Sequence, residues 1–439
     1  MPKWKIIIFG LTISLLLVGL NYFIPRSDFF LLSLCFVSSF VLYFFFFVRY
    51  KDGLSLNEGI ALGMFFRAIL LFSLPNLSDD FYRFIWDGNL AINGINPFEF
   101  TPSQVLDSNI LPEINFLHPL LNSQDYYSVY PPVLQWVFGL GALIAGTSFL
   151  GNVIFFKLIL LAAEGFSLVL IIKLLKSLSL DPKKVFLYAW NPLVVLEIIG
   201  NIHFEGLYLP FLLLFLVGLV SLNEKKSVAG LIGGVGSKLI PLYLVPLTVF
   251  RLGVKTAVRV GAVSMIGGLI IFLPYFYKWE FIQRFLTSVD LYFKTFEFNG
   301  GVYLVLRNLI SNIIGYNPIQ TLGPILGGIT WGTALFLGFY FRKKPVFAAF
   351  WILFFILFFA SIVHPWYIIP FFCLSLFTPY RFPLWWTLMI FGSYFAYSNA
   401  IFSENYLLVG LEYFVVFGAL IFELTRKNGM KKPQGIPEV

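Results

Sequence analysis

The chain has 439 residues, of which 59% are hydrophobic and only 12% are charged. Soluble domains carry about 25% charged residues, so this composition excludes an ordinary soluble protein. The net charge of +8 is compatible with nucleic-acid binding, but the lysines and arginines cluster between apolar runs, as the positive-inside rule for membrane proteins expects. We therefore expect a membrane protein whose partners include lipids and no nucleic acid.

Apolar stretches that are long enough to cross a bilayer recur along the whole chain. A transmembrane helix needs about 20 such residues. The candidate spans are 5–23, 29–48, 58–74, 152–172, 184–199, 204–222, 257–276, 320–341, 345–361, 364–379, 383–400 and 405–424. The first is too long for a signal-peptide core and no small-residue cleavage site follows it, so we expect it to stay in place.

Two further apolar stretches are interrupted. The stretch 131–148 opens with two prolines, and the stretch 228–250 contains Gly233, Gly234, Gly236, Lys238 and Pro241. Broken helices are tolerated at membrane depth where they line a cavity instead of facing lipid. These two stretches are therefore candidates for segments that do not cross the membrane completely.

Six lysines decide the predicted orientation. They are Lys173, Lys176, Lys183, Lys184, Lys225 and Lys226. They lie outside the cell if both interrupted stretches cross, and in the cytoplasm if both enter and leave on one side; the positive-inside rule favours the second arrangement. We therefore predict an all-α, polytopic, single integral membrane domain over 1–439, with about 12 transmembrane helices plus two re-entrant or broken segments. Both termini are then cytoplasmic, and the extracytoplasmic face receives 75–130, 200–205, 277–300, the start of the span at His364, and 401–405.

The longest polar region, 75–130, begins with the acidic pair Asp79 and Asp80. Long ordered loops are usually functional, and the helical spacing of the apolar residues after this pair predicts a short helix in the membrane interface. Helix capping accounts for one carboxylate. Two adjacent carboxylates exceed what one cap needs, and their repulsion raises the pKa of one of them, which suits a proton acceptor.

The same region contains Arg83, which lies one helical turn before Asp87 and is expected to pair with it on the helix surface. The region ends at Tyr130, where Pro131 and Pro132 open the next apolar stretch.

Polar residues inside the apolar stretches are the next candidates. Glu197, His203, Glu205 and Lys238 all lie in or beside predicted spans. Ionisable groups at such depth are costly and usually line a cavity. For His203 a hydrogen-bonded structural role stays open; Lys238 either pairs with a carboxylate or a phosphate, or extends its ammonium to the interface.

Basic residues on the predicted outer face run against the positive-inside bias. Arg284 and Arg307 are the examples near 277–300, and they suit an anionic ligand or lipid headgroups equally. His364 and Trp366 open a span; the alternative to a binding role is a solvated histidine in an aromatic belt.

Taken together, these landmarks resemble the GT-C superfamily of membrane glycosyltransferases, above all the bacterial polyprenyl-phosphate-mannose-dependent mannosyltransferases. The resemblance lies in the order of the motifs, which are Asp79-Asp80-Phe81-Tyr82-Arg83, Trp86-Asp87-Gly88, Gly94-Ile95-Asn96-Pro97-Phe98, Tyr130-Pro131-Pro132, Trp190-Asn191-Pro192, Gly200-Asn201-Ile202-His203-Phe204-Glu205-Gly206, Ser237-Lys238-Leu239-Ile240-Pro241 and His364-Pro365-Trp366-Tyr367. Relatives carry Asn-Asp where this chain has Phe204-Glu205.

The resemblance implies transfer of a sugar, mannose above all, from a polyprenyl-phosphate donor to a glycan or lipid acceptor, in the bacterial inner (plasma) membrane and on its extracytoplasmic face. It implies Asp80, with Asp79 as second choice, as the general base of an inverting transfer. Its implied substrate-binding residues are Arg83, Tyr130, His203, Glu205, Lys238, Arg284, Arg307, His364 and Trp366. Some members use a divalent cation such as Mg²⁺ or Mn²⁺ and others none, so the cofactor and any metal ligands stay open.

Two alternatives remain at this point. Intramembrane charges and broken helices also mark transporters, so a transporter or flippase of lipid-linked sugars is the main alternative. A non-catalytic assembly subunit that keeps the fold is the second. Asp79 and Asp80 in one cleft with Lys238 would favour the enzyme, whereas a cleft filled by side chains would favour the subunit.

Overall fold

The computed structural model describes residues 3–398 and 402–428, with side chains as far as 426. Residues 399–400 of the predicted span 383–400 and residue 401 of the predicted turn 401–405 lie outside the described residues. Within the described ranges the regular elements are helices, joined by isolated bridges from Phe298 and Asn299 to Ile362. The predicted all-helical architecture is therefore confirmed.

In chain order the α-helices are α1 (Lys3–Val18), α2 (Phe29–Tyr50), α3 (Leu56–Ala68), α4 (Asp80–Ile92), α5 (Pro102–Asp107), α6 (Pro132–Ala145), α7 (Phe149–Ser177), α8 (Val185–Ala189), α9 (Pro192–Val195), α10 (Glu205–Val220), α11 (Glu224–Ser237), α12 (Pro246–Leu252), α13 (Val254–Phe272), α14 (Trp279–Lys294), α15 (Gly301–Ile314), α16 (Ile319–Tyr340), α17 (Pro345–Phe359), α18 (Ile368–Ser375), α19 (Phe382–Met389) and α20 (Tyr406–Asn428). Short 3₁₀ or π segments occupy Gly19–Phe23, Lys51–Gly53, Pro112–Leu120, Pro182–Lys184, Leu196–Gly200, Ile240–Leu244, Pro365–Tyr367 and Ile390–Tyr397.

Among the described residues, six helices are long and apolar enough to cross a membrane, and each coincides with a predicted span. They are Lys3–Phe23, Phe29–Gly53, Phe149–Ser177, Val254–Phe272, Ile319–Tyr340 and Tyr406–Arg426. The predicted spans 184–199 and 204–222 form instead one pair of helices, Pro192–Gly200 and Glu205–Val220, bent by 114°.

The remaining predicted spans contain shorter helices. For 345–361 the helix is α17, whose 15 residues extend about 22 Å at 1.5 Å per residue, less than the hydrocarbon thickness of about 30 Å. Proline at the first turn of α9 and α19, and in the segment before α18, divides other apolar runs into short pieces. The count of about 12 crossings therefore stays a prediction.

The two interrupted stretches differ from one another. The stretch 131–148 forms an unbroken helix, α6, with Pro131 at its N-cap. The stretch 228–250 is broken at Lys238, which ends α11 in an extended conformation before the short helical segment Ile240–Leu244. Gly230 lets α11 approach α10 closely, because a Cβ atom there would overlap the backbone of Phe215.

The segment 75–130 contains α4, α5 and the 3₁₀ segment Pro112–Leu120. The predicted helix after the acidic pair is present as α4, but its residues from Arg83 to Leu90 are all buried. Gly88 allows this burial, because a side chain there would overlap the backbone carbonyl of Phe138 on α6. The helix is therefore packed into the protein more deeply than a helix lying on a membrane surface.

Buried charges fix the end of α3, which leads into the acidic pair. Arg67 of α3 pairs with Glu164 of α7 at 2.7 Å, and both side chains are fully buried. Lys157, also on α7, donates to the backbone carbonyls of Leu70 and Ser73 at 2.7 and 2.6 Å. These contacts hold the end of α3 and the turns that follow it against α7, and the segment that begins with Asp79 follows directly after those turns.

Candidate active site

A cavity of about 820 Å³ lies where α4 meets the 203–205 turn, the break at Lys238 and the 364–367 turn. Of the residues predicted for the site, those that line this cavity are Asp79, Asp80, Arg83, Tyr130, His203, Glu205, Lys238, His364 and Trp366. Arg284 and Arg307 do not line it. Chain positions separated by almost 290 residues thus converge on one space that is open to a ligand.

The two adjacent carboxylates have different partners. Asp79 takes the N-cap position of α4, but no described residue donates a capping hydrogen bond to its side chain. It pairs instead with Arg26 at 2.6 Å. Asp80, the first residue of α4, accepts a hydrogen bond from the Asn122 side-chain amide at 2.7 Å. Capping of α4 is therefore not the role of the Asp79 side chain.

The surroundings of Asp80 favour a carboxyl that takes up a proton readily. Burial raises its pKa above the usual value, while His203 and the amide of Asn122 lower it and the carboxylates of Glu205 and Asp79 raise it further. The net direction is upward. A carboxylate that is surrounded by protein yet reachable from the cavity has the chemistry of a general base.

Lys238 is paired in this structure. Its ammonium contacts the carboxylate of Glu205, the first residue of α10, and its Nζ lies 4.2 Å from the ring centroid of Tyr367. The Glu205 side chain is 5% exposed and that of Lys238 is 26% exposed. Of the alternatives for Lys238, pairing with a carboxylate is the one observed, and part of the lysine still faces the cavity.

The two histidines of the cavity lie on opposite sides of one indole ring. His203 stacks on Trp366 with ring centroids 3.6 Å apart, and His364 stacks on it at 4.4 Å. Just before His203, Ile202 has a φ of 59°, a conformation that is an outlier for a β-branched residue. Such strain persists only where the surroundings impose it, and here it forms the turn that carries His203.

Arg83 holds the 123–126 stretch against α4. It pairs with Asp87 at 2.8 Å and donates to the carbonyls of Ser123 and Tyr126 at 2.9 and 3.0 Å. The predicted pairing of Arg83 with Asp87 is therefore present, but the pair is buried instead of lying on the helix surface. The ring of Tyr130 packs edge-on against Phe84 at 5.0 Å.

Arg284 and Arg307 lie beside the cavity. Arg284 donates to the backbone carbonyl of Glu99 and lies 5.4 Å from the ring of Tyr127. Arg307 pairs with Glu297 at 2.8 Å, and Glu297 itself lines the cavity. Both guanidinium groups are thus engaged at its edge.

Sequence reasoning missed Arg26 and Asn122. Arg26 lies in the turn between the first two spans, a position on the same predicted face as 75–130, and that placement was the available signal. Asn122 carries no sequence signal, because its contact with Asp80 bridges 42 positions.

The donor set does not fit a divalent cation. Among the described residues no group of three or more His, Cys, Asp or Glu side chains is placed to hold a metal ion. Asp79 is engaged by Arg26 and Asp80 by Asn122, and a cationic lysine neutralises Glu205. Since Mg²⁺ and Mn²⁺ prefer clustered oxygen ligands, these side chains do not form a site for either ion.

Comparison with known proteins identifies the family. No curated protein and no solved structure matches the chain. The MptA_B family, described as alpha-(1->6)-mannopyranosyltransferase, N-terminal domain, matches residues 27–270. That range is more than half of the chain and includes Asp79, Asp80, His203, Glu205 and Lys238. The chain therefore belongs to the MptA_B family of alpha-(1->6)-mannopyranosyltransferases, and it is a membrane mannosyltransferase of the GT-C type.

Proposed function

We propose that this mannosyltransferase moves a mannosyl residue from a polyprenyl-phosphate donor to a glycan or lipid acceptor, with inversion at the anomeric carbon. The observation that carries the proposal is one cavity that holds a reachable carboxylate, Asp80, together with a lysine, Lys238. A transfer of this kind needs a base for the acceptor and a cation for the leaving phosphate.

Asp80 is proposed as the base. As the acceptor hydroxyl attacks the anomeric carbon, its proton passes to the Asp80 carboxylate, and the bond between the sugar and the phosphate oxygen breaks. Positive charge develops on the sugar ring, as in glycoside hydrolysis. The hydrogen bond from Asn122 orients the carboxylate, while Arg26 engages Asp79; Asp80 has no salt-bridge partner among the described residues.

Lys238 is proposed as the ligand of the donor phosphate. The leaving phosphate gains negative charge in the transition state, and a preorganised cation stabilises that charge most strongly where water is excluded. The pairing with Glu205 and the ring of Tyr367 hold the lysine in place before substrate arrives. Arg284 and Arg307 are assigned to the edge of the site, since neither lines the cavity and each is already engaged, by the carbonyl of Glu99 and by the carboxylate of Glu297.

The proposal places the cavity on the extracytoplasmic side of the bacterial inner membrane. The lysine-rich loops around 173–184 and 223–227 are expected in the cytoplasm. In the predicted topology the cavity-lining segments lie at the opposite ends of the same helices, which supports an extracytoplasmic cavity. Nucleotide sugars are absent from that side, so the donor has to arrive attached to a lipid.

A transporter or flippase of lipid-linked sugars is less well supported. The two carboxylates lie at the start of α4 in a polar segment, and family membership assigns a transferase. The open cavity also argues against a non-catalytic subunit whose cleft is filled by side chains.

The test uses the purified full chain in lipid vesicles or detergent, with radiolabelled mannosyl phosphate on a short polyprenyl chain and an alpha-1,6-linked mannose oligosaccharide as acceptor. We expect transfer from the lipid-linked donor, no transfer from a nucleotide-linked mannose, and an anomeric configuration in the product opposite to that of the donor. Transfer from the nucleotide sugar, or retention of configuration, would contradict the proposal.

A further inference from the structure

His203 lines the cavity, and a buried carboxylate behind it, that of Glu197, fixes the orientation of its ring. Its Nδ1 lies 3.0 Å from the Oε2 atom of Glu197 and 3.1 Å from the backbone carbonyl of the same residue. Both of these atoms accept hydrogen bonds, so Nδ1 carries a hydrogen whatever the charge of the ring. Nε2 is therefore the nitrogen that gains or loses the second proton.

Burial and two hydrogen bonds fix the side chain of Glu197. Its side chain is fully buried, its Oε1 accepts from the Tyr394 hydroxyl at 2.7 Å, and its Oε2 accepts from the Asn201 amide at 3.3 Å. Stacking on Trp366 restrains the face of the imidazole. Carboxylate, ring and stack thus fix one orientation of His203.

Nε2 of His203 has no hydrogen-bond partner among the described residues, although the side chain is only 3% exposed. A buried polar atom without a partner is costly and calls for an explanation. The residue lines the cavity together with Asp80. The other ring nitrogen, Nδ1, already carries a hydrogen that it donates to Glu197. A proton on Nε2 therefore gives the ring a positive charge, and this charge lies at the cavity wall near Asp80.

We propose that His203 is a positioning residue that keeps Asp80 ionised, with Glu197 behind it stabilising the positive charge of the imidazolium. This inference rests on the proposed role of Asp80 as general base. It adds a chain of three charged groups, Glu197, His203 and Asp80, in which the middle member touches neither the acceptor hydroxyl nor the reacting carbon.

The other charges around Asp80 explain why such a group is needed. The charged or titratable groups that face Asp80 and His203 from the neighbouring elements are Arg26, Asp79, Arg83, Glu197, Glu205, Lys238 and His364, together with the phenols of Tyr130, Tyr292, Tyr367, Tyr394 and Tyr397. Arg26 and Arg83 are already paired, with Asp79 and Asp87. Asp79 and Glu205 both disfavour the charged form of Asp80, and Lys238 is already paired with Glu205. His203 has the largest charge effect in the opposite direction.

The experiment measures kcat/KM against pH, because its acidic limb reports the ionisation of the base in the free enzyme. Removing a nearby positive charge raises the pKa of a carboxylate. We therefore expect His203→Gln to move the acidic limb towards higher pH, with activity recovered at alkaline pH. Glu197→Gln should move the limb in the same direction.

His364→Gln is the matched control. His364 stacks on the opposite face of the same indole, but the charges that most affect the pKa of Asp80 are those of His203, Glu205 and Asp79. We expect this variant to leave the position of the acidic limb at the wild-type pH, whatever its effect on the rate. A purely structural role for the stacked histidines would change rates in both variants and move the limb in neither.

A folded His203→Gln enzyme with a wild-type acidic limb would overturn the inference; folding is followed by the melting temperature in detergent. If His203→Gln does not fold, the limb of Glu197→Gln decides in the same way. The proposed function has its own separate failure. An Asp80→Asn enzyme with full activity would remove Asp80 as the base, whereas an inactive Asp80→Asn enzyme with an unmoved His203→Gln limb would remove only the role of His203.

Discussion

Lys238, at the break after α11, forms an ion pair with Glu205 at the start of α10. The pair joins two segments of the cavity wall and places one cation inside a largely apolar space. The lysine already has a carboxylate partner, so its ammonium group is not left buried without a countercharge before the phosphate binds. The pair is thus a preorganised part of the proposed donor site.

Replacing Lys238 by methionine should weaken donor binding. A hydrogen bond to a charged group contributes about 1.5–3 kcal/mol, so we expect the apparent KM for the donor to rise on the order of tenfold or more. The rise should persist in a Glu205→Gln background, where no unpaired carboxylate is left behind. An unchanged donor KM in Lys238→Met would remove the lysine from the donor site.

The loops around 173–184 and 223–227 should face the cytoplasm. Single cysteines at Ser177 and Lys225, in a background that lacks the two native cysteines, Cys35 and Cys373, are expected to resist membrane-impermeant thiol reagents in intact cells and to react after lysis. A cysteine at the exposed Glu113 in the 75–130 segment should react in intact cells. Labelling with the opposite pattern would place the cavity on the cytoplasmic side.

The buried pair of Arg67 and Glu164 should contribute strongly to stability. Removing one partner of a buried ion pair leaves an uncompensated charge and costs about 3–5 kcal/mol. We expect Arg67→Met to lower the melting temperature in detergent clearly, and the double variant Arg67→Met/Glu164→Leu to recover much of the loss. A single variant that melts like the wild type would show that the pair does not hold α3 against α7.

The pH dependence of the wild type follows from the environment of Asp80. Burial raises the pKa of this group, and a base is competent only when it is ionised. Activity should therefore be present above the folded-state pKa and fall as the pH drops through it, with a midpoint above the ordinary aspartate value of about 3.9. A kcat/KM profile that stays flat down to that value would contradict a base whose pKa is raised.

The sequence was informative where one residue type carried the signal. Apolar length predicted the six long spans, and the isolated charges Asp79, Asp80 and Lys238 proved to line one cavity. Glycines and prolines marked the break at Lys238. Their spacing did not reveal that Pro192–Gly200 and Glu205–Val220 meet at 114°, because the bend depends on packing against distant helices.

Sequence patterns could not predict contacts between residues that are far apart in the chain. The contact between Tyr394 and Glu197 bridges 197 positions, and that between Arg26 and Asp79 bridges 53. No periodicity links such residues, so the division of roles between Asp79, which has a salt-bridge partner, and Asp80, which has an amide partner, emerges only from the folded chain. The same holds for the stack of His203 and His364 on Trp366.

Asp80 is proposed to accept the proton of the acceptor hydroxyl, and the turnover of Asp80→Asn, compared with that of Asp79→Asn, tests this role. Asparagine has nearly the shape of aspartate and keeps an oxygen that can accept the hydrogen bond from Asn122, so the substitution keeps the shape of the site while removing the proton acceptor. We expect a folded Asp80→Asn enzyme that binds donor and loses roughly 100-fold or more in turnover, with a smaller loss in Asp79→Asn. Full transfer activity in Asp80→Asn would contradict it.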